Sequence, residues 1–297
     1  VIALPAPAKL NLFLHVTGRR EDGYHLLESV FQLVEFGDTV HLGTRDDGAI
    51  VRVNDIPGVP PGTDLSVRAA LALQQATGRR VGADIRLDKR IPMGGGLGGG
   101  SSDAATVLLG LNRLWQLDLP RSRLMEIGLT LGADVPFFVF GQNAFASGIG
   151  EKLVALRLPE RWFVVIKPHV EIRTADIFRA PELTRNAKSV KMADFSAGLS
   201  GPAYSFPEPR FRNDLQEVAQ TRYLQVAEAL SWLRGRCLAS AEEAAVSARM
   251  SGSGACVFAG FGSAAAAEKV FAQRPSGWDG FVARGLQHHP LAGLADL

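Results

Sequence analysis

The chain has 297 residues, a hydrophobic fraction of 46% and a formal net charge of +2. That length buries a large core, as one large domain or as two smaller ones sharing an interface. The near-neutral charge, with no basic run and no regular aromatic–basic alternation, argues against nucleic acid as a partner.

No run of about 18 uncharged apolar residues exists, so no membrane span is expected. The opening Val-Ile-Ala-Leu-Pro is too short and too weakly basic for a signal peptide. Cys237 and Cys256 lie outside any CxxC or Cys–His cluster and read as buried free thiols. These absences together favour a cytoplasmic enzyme.

Residues 8–16 alternate as a strand, with Lys9, Asn11 and Phe13 on one face and Leu10, Leu12 and Leu14 on the other. A polar turn at 18–23 leads to Tyr24-His25. Strands follow at 28–36, 38–43 and 49–53, then a Pro/Gly-rich loop at 54–62. Apolar spacing predicts a helix over 65–77, stopped by Gly78. A strand over 81–87 precedes the glycine-rich run, and helices are expected over 102–115 and 121–131. Pro136 biases Val135 toward extended backbone and sets Asp134 on a loop edge before the apolar 137–140.

A soft domain boundary falls near Leu158-Pro159-Glu160, and a strand at 162–167 restarts the chain. Residues 186–212 read as irregular. Asn213 or Asp214 is placed to cap a long helix running to about 233, with another helix over 239–248. The small-residue loop Ser251-Gly252-Ser253-Gly254 leads into a strand at 255–261. A helix at 264–273 and a strand at 280–285 complete an α+β pattern.

The most informative stretch is Pro92-Met93-Gly94-Gly95-Gly96-Leu97-Gly98-Gly99-Gly100-Ser101-Ser102-Asp103-Ala104-Ala105. Glycines permit close backbone approach, and the loop runs straight into a helical pattern. Backbone N–H groups at such a junction suit an anion, polyphosphate above all. Gly94-x-Gly96-x-x-Gly99 fits the dinucleotide fingerprint only by its letters: no acidic residue closes a second strand at the required distance. The loop also lacks the Gly-Lys-Ser/Thr of a Walker-type P-loop. Ser101 and Ser102 are positioned to cap the helix, to touch phosphate, or to approach a bound Mg2+. Asp103 complements the helix dipole and orients the loop.

Phosphoryl transfer needs a phosphate cradle, charge compensation and an oriented hydroxyl. Lys9 and Asp134 are candidates for the last two, as an ion pair that positions a hydroxyl and accepts its proton. Each also reads as an ordinary surface charge. Ser251 to Gly254 is either a tight turn or a wrap around the transferred group. Tyr24, His25 and Phe178 fit either a nucleobase pocket or the core. His288 and His289 have no acidic or cysteine neighbours, and no motif supports a dedicated metal site.

Five segments, in order along nearly the whole chain, resemble the GHMP kinase superfamily. They are Pro7 to Leu14 with Asp22-Gly23-Tyr24-His25; Pro92 to Ala105; Gly132 to Phe138; Phe178 to Asn186; and Met250 to Phe258. The general superfamily loop runs Pro-x-x-x-Gly-Leu-Gly-Ser-Ser-Ala-Ala. The intervening Gly99-Gly100 and Asp103 favour the branch whose substrate is a cytidine diphosphate-linked polyol.

The resemblance implies a ribosomal-protein-S5-domain-2-like N-terminal domain and a ferredoxin-like C-terminal domain. Residues 1–158 would bind ATP and 159–297 the substrate. It implies ATP and Mg2+, transfer of the γ-phosphoryl to the 2-hydroxyl of a methylerythritol moiety, and a place in non-mevalonate isoprenoid synthesis. Asp134 would be the base and Lys9 its electrostatic partner. Asn11 would orient the substrate, Tyr24 and Phe178 would flank cytosine, and His25 would bond its edge. Gly252 and Ser253 would line the substrate side. Pro92, Gly94 to Gly100, Ser101 and Ser102 would hold the phosphates, with Asp64, Leu65 and Lys89 beside adenosine. The family pattern has asparagine where Asp64 stands, and a glutamate that some members use for Mg2+ has no match here. A monomer or weak homodimer is expected. The rival readings are another GHMP-type alcohol kinase, whose substrate lacks a nucleotide handle, and a non-catalytic nucleotide-binding protein.

Overall fold

The computed structural model describes residues 1–190, 210–239 and 244–295. Two long strands, β1 (Ile2–Arg19) and β2 (His25–Arg45), pair antiparallel from Ile2↔Leu42 to Arg19↔His25. The strands expected at 28–36 and 38–43 are thus one continuous β2. Its second edge is shared by β4 (Gly82–Asp88) at one end and β5 (Ala144–Ser147) at the other. Short strands β3 (Ile50–Arg52) and β6 (Lys152–Ala155) close this six-stranded sheet.

A bulge in β1 corrects the expected facing. Asn11 pairs with Phe31 but Phe13 pairs with Val30, so one extra residue is inserted at Leu12. Such an insertion reverses the alternation beyond it. Phe13 therefore joins the core with Leu10 and Leu12, while Leu14 moves to the face of Asn11. The carbonyl of Leu12 accepts from Nη1 of the fully buried Arg249 at 2.6 Å. The bulge is therefore held from the far end of the chain.

Helix α1 (Leu65–Thr77) starts where the Asp64 side chain accepts from the Ser66 N–H and stops at Gly78, which is left-handed at φ 66°. Helix α2 (Gly99–Leu114) is buried at every position from Ser102 to Asn112 and forms the middle of the first core with Leu33, Leu42, Leu73 and Phe137. Helix α3 (Arg121–Leu131) leads to α4 (Val135–Phe140). Val135 is helical, not extended. Pro136 falls in the first turn, where a missing N–H costs nothing. Asp134 sits at the N-cap position with no capping bond from its side chain, so its carboxylate stays available.

The second sheet has the order β10 (Asp279–Arg284), β7 (Trp162–Lys167), β9 (Val257–Phe261), β8 (Ala244–Met250), all antiparallel. Numbered within this half, the order is 4-1-3-2, the ferredoxin-like arrangement. Helices α5 (Thr174–Phe178), α6 (Asp214–Arg222), α7 (Leu224–Ala239) and α8 (Ala264–Ala272) accompany it. Val164 and Ile166 pack toward the helices with Leu230 and Leu233. Phe163 and Val165 pack toward Leu10, Phe13 and Val34 of the first sheet. Both faces are buried, which is why β7 and β9 read as continuous apolar runs.

Two expectations fail here. The single long helix from Asn213 is broken at Tyr223 into α6 and α7, although Asn213 does cap α6 through Leu215 N–H. Residues 244–250 form a strand rather than the end of a helix over 239–248; 240–243 lie outside the described residues. So does 191–209, most of the segment expected to be irregular.

The chain passes from one sheet to the other between β6 and β7, and then returns. Leu286 N–H donates to Leu33 O, His289 N–H donates to Gly141 O, and Leu291 joins the first core.

Candidate active site

A cavity of about 1090 Å³ opens between the two sheets. It is walled by the 92–101 loop, β1, the turn at 19–25, Asp134, α5 and the 252–253 loop. Each of the five segments that carry the resemblance contributes to it.

The glycine loop is turned with its donors outward. The carbonyls of Gly94, Gly95, Gly96 and Leu97 accept from Ala255 N–H, Cys256 N–H, Ser251 Oγ and Lys9 N–H, at 2.9 to 3.2 Å. Its amides, from Gly94 to Ser101, have no acceptor among the described residues. Left-handed φ recurs at Gly94, Gly96 and Gly98, an alternation that points successive N–H groups to one side. The run ends in the unpaired N–H groups of the first turn of α2. Gly96 is obligatory: a Cβ there would lie 2.0 Å from Ser251 O. This wall offers donors and no acceptors, and it suits an anion.

Lys9 is only 4% exposed. Its ammonium donates to Asn11 Oδ1 at 2.6 Å and lies 3.3 Å from Asp134 Oδ2 and 4.9 Å from the centre of the Phe31 ring. The Asn11 amide donates in turn to Ser29 Oγ at 2.9 Å, and Ser29 Oγ donates to Phe13 O. Asn11 lines the cavity, yet its side chain is used to hold Lys9. The Asp134 carboxylate is partly open to the cavity, backed by one fixed cation.

Lys89 belongs to a second charged cluster. It donates to Asp103 Oδ2 at 2.6 Å and to Asp38 Oδ2. Asp38 Oδ1 also accepts the N–H groups of Arg90 and Ile91, which tethers the entry to the glycine loop. Burial opposes the Lys89 charge, but the two carboxylates raise its pKa on balance. Burial pushes the Asp103 carboxyl up to about 7, against the pull of Lys89. Asp103 Oδ1 is buried without a partner among the described residues. Asp38 was not singled out by sequence, since nothing local marks it; only folding brings it to Lys89.

At the other end of the cavity Tyr24 is 59% exposed. The His25 ring packs against Phe178, centroids 4.9 Å apart, and receives a hydrogen bond from Arg185 Nε at 3.1 Å. Thr174 Oγ1 and Ser253 Oγ are 2.8 Å apart, joining α5 to the second glycine loop. Neither Thr174 nor Arg185 carries a sequence signal for this role.

Three expected residues lie outside the lining. Ser102 is fully buried and its hydroxyl donates to Pro7 O, so it neither caps α2 nor faces phosphate. Asp64 is spent on the α1 cap and on Arg52, 2.7 Å away. Leu65 packs on the first core. The remaining expected residues, Pro92, Gly94 to Gly100, Leu97, Ser101, Lys89, Lys9, Asn11, Tyr24, His25, Asp134, Phe178, Gly252 and Ser253, do meet in one cavity.

The sequence profile of the GHMP kinases N terminal domain matches residues 64–142, which include the glycine loop and Asp134. Fold and site define a kinase of the GHMP type, an ATP-dependent phosphotransferase. A 4-diphosphocytidyl-2-C-methyl-D-erythritol kinase of Cupriavidus metallidurans is 56% identical, over 98% of this chain and 95% of its own length. One of Ralstonia nicotianae is 58% identical, over 98% and 96%. The crystal structure of a 4-(cytidine 5'-diphospho)-2C-methyl-D-erythritol kinase superposes with a TM-score of 0.74 at 34% identity, covering 96% of this chain and 98% of that one. The chain belongs to the 4-diphosphocytidyl-2-C-methyl-D-erythritol kinase family.

Proposed function

We propose that this chain transfers the γ-phosphoryl group of ATP to the 2-hydroxyl of 4-diphosphocytidyl-2-C-methyl-D-erythritol, a step of isoprenoid synthesis. The observation that carries the reading is the Lys9–Asp134 pair, in one cavity with a wall of unpaired amides. The amides from Gly94 to Ser101 hold the phosphates. Asp134 accepts the hydroxyl proton as the oxygen attacks the γ-phosphorus and the bond to ADP breaks. Lys9 fixes that carboxylate and offsets its charge beside the phosphates.

Among the described residues no group of three His, Cys, Asp or Glu is set to hold a metal. The Ser101 hydroxyl, which lines the cavity, would help to hold Mg2+ together with phosphate oxygens and water. When bound, the ion neutralises phosphate charge. Lys89 stands beside the adenosine. Tyr24, His25 and Phe178 receive the cytosine, and Gly252 and Ser253 close over the polyol.

On this reading residues 1–158 form mainly the ATP side and 159–297 part of the substrate side. A monomer or weak homodimer is part of the same proposal. No described helix is long and apolar enough to cross a membrane; the cytoplasm is the proposed location because ATP is the donor.

The test is ATP consumption with the cytidylylated polyol, with the product resolved by mass. One added phosphate on that substrate, and none on homoserine or mevalonate, is the expected result. Phosphorylation of the simple alcohols in preference would overturn it.

A further inference from the structure

Arg185 stands behind His25 with its geometry fully determined. Its Nη2 donates to Phe178 O at 3.0 Å and Ala180 O at 2.7 Å, and its Nη1 to Leu183 O at 3.0 Å. These bonds lock the guanidinium plane against the end of α5. A fourth N–H, on Nε, points at His25 Nε2 at 3.1 Å. A guanidinium has no acceptor, so Nε2 must present its lone pair. A neutral imidazole carries one N–H, and here that N–H is on Nδ1.

Protonating the ring would set N–H against N–H at Nε2. Burial lowers the His25 pKa, and the charges of Arg185 and Arg19 lower it further. Among the described residues these two are the charges that act on the ring. Nδ1 donates to no described residue, and His25 lines the cavity.

We infer that Arg185 is a positioning residue for base specificity: it locks His25 as the Nδ1–H tautomer, so that the ring donates to N3 of cytosine and rejects uracil. The inference rests on the nucleobase placement proposed above. Cytosine N3 is an acceptor, whereas uracil N3 carries a hydrogen. Nδ1–H therefore pairs with cytosine and meets uracil donor to donor. The opposite tautomer would reverse that preference. A site that leaves a desolvated donor unpaired discriminates far more strongly than one that only loses contact area.

Two measurements decide it. In the ligand-free protein, histidine 15N NMR is expected to show His25 protonated at Nδ1 and bare at Nε2 at neutral pH. A proton on Nε2 would overturn the inference. In kinetics with cytidine- and uridine-diphosphate-linked polyol, Arg185→Met is expected to lower the cytosine-to-uracil ratio of kcat/KM about tenfold or more, mainly through KM. Arg185→Lys, which restores a donor, should recover part of the ratio.

Loss of the clamp on α5 alone would weaken both substrates by the same factor. An unchanged ratio would therefore refute the specificity role. If Arg185→Met fails to fold, Arg185→Lys and the NMR measurement still decide the question. A wild-type protein that turns over neither substrate would overturn the proposed function instead, and the NMR would still decide the tautomer.

Discussion

The two ends of the cavity are built in different ways. The end proposed for the phosphates is main chain: consecutive amides with their carbonyls tied back to Lys9, Ser251, Ala255 and Cys256. The end proposed for the nucleobase is side chain: Tyr24 and His25 where β2 begins, Phe178 from α5 and Arg185 beyond it. Main-chain donors recognise charge and shape in any polyphosphate. Side chains recognise one heterocycle edge. A kinase with a universal donor and a particular acceptor needs both, and here they are joined by the Lys9–Asp134 pair.

The sharpest way to separate chemistry from either binding end is Asp134→Asn. It should lower kcat by about 10²–10⁴-fold while ATP affinity, read by calorimetry, stays close to that of the wild type. Comparable kcat would remove Asp134 from the role of base.

The phosphate end should break with one carbon. In Gly96→Ala the added Cβ would meet Ser251 O at 2.0 Å, at a left-handed φ of 71°. A loss of about 2–3 kcal/mol in chemical denaturation and a collapse of ATP binding are expected. Normal ATP binding would show that the loop does not hold the phosphates.

Tyr24→Ala probes the other end. Stacking of about 1–3 kcal/mol should be lost from the cytidine substrate and not from ATP. Equal losses for both ligands, by calorimetry, would contradict the division of labour.

The smallest effect concerns pH. The Asp103 carboxyl, normally near 3.8, is pushed up to about 7 in the fold. Between those values the native state holds the proton that the unfolded chain releases. Stability from this group therefore falls as pH rises from about 4 to about 7. Asp103→Asn should flatten the decline in melting temperature across that range. A slope equal to that of the wild type would mean that Asp103 titrates as it does in the unfolded chain.

Legibility in the sequence followed how local each cause was. Helices over 65–77 and 121–131 and the strand over 162–167 have the predicted bounds, because caps, glycine stops and apolar runs lie inside or beside them. Residues 244–248 are alanine-rich and read as the end of a helix. Pairing with β9 and burial of Arg249 make them a strand, a tertiary override of propensity. Ser102 looked like a phosphate ligand by its position after the glycines. It faces β1 because the first core claims that side of α2. Asp38 left no trace, and Arg185, though inside the segment Phe178 to Asn186, showed nothing of its role, because each acts on a residue far from it in the chain.

The sequence by itself determined the wall of unpaired amides. Glycine frees the backbone locally, and a helix must begin with unpaired N–H groups whatever surrounds it. Only the tertiary structure decided which side chains meet across the cavity. The Leu12 bulge re-aims β1 beyond Asn11, the turn into α4 presents Asp134 to Lys9, and α5 carries Arg185 to His25. Those meetings depend on contacts between segments 100 residues and more apart, and no local preference encodes them.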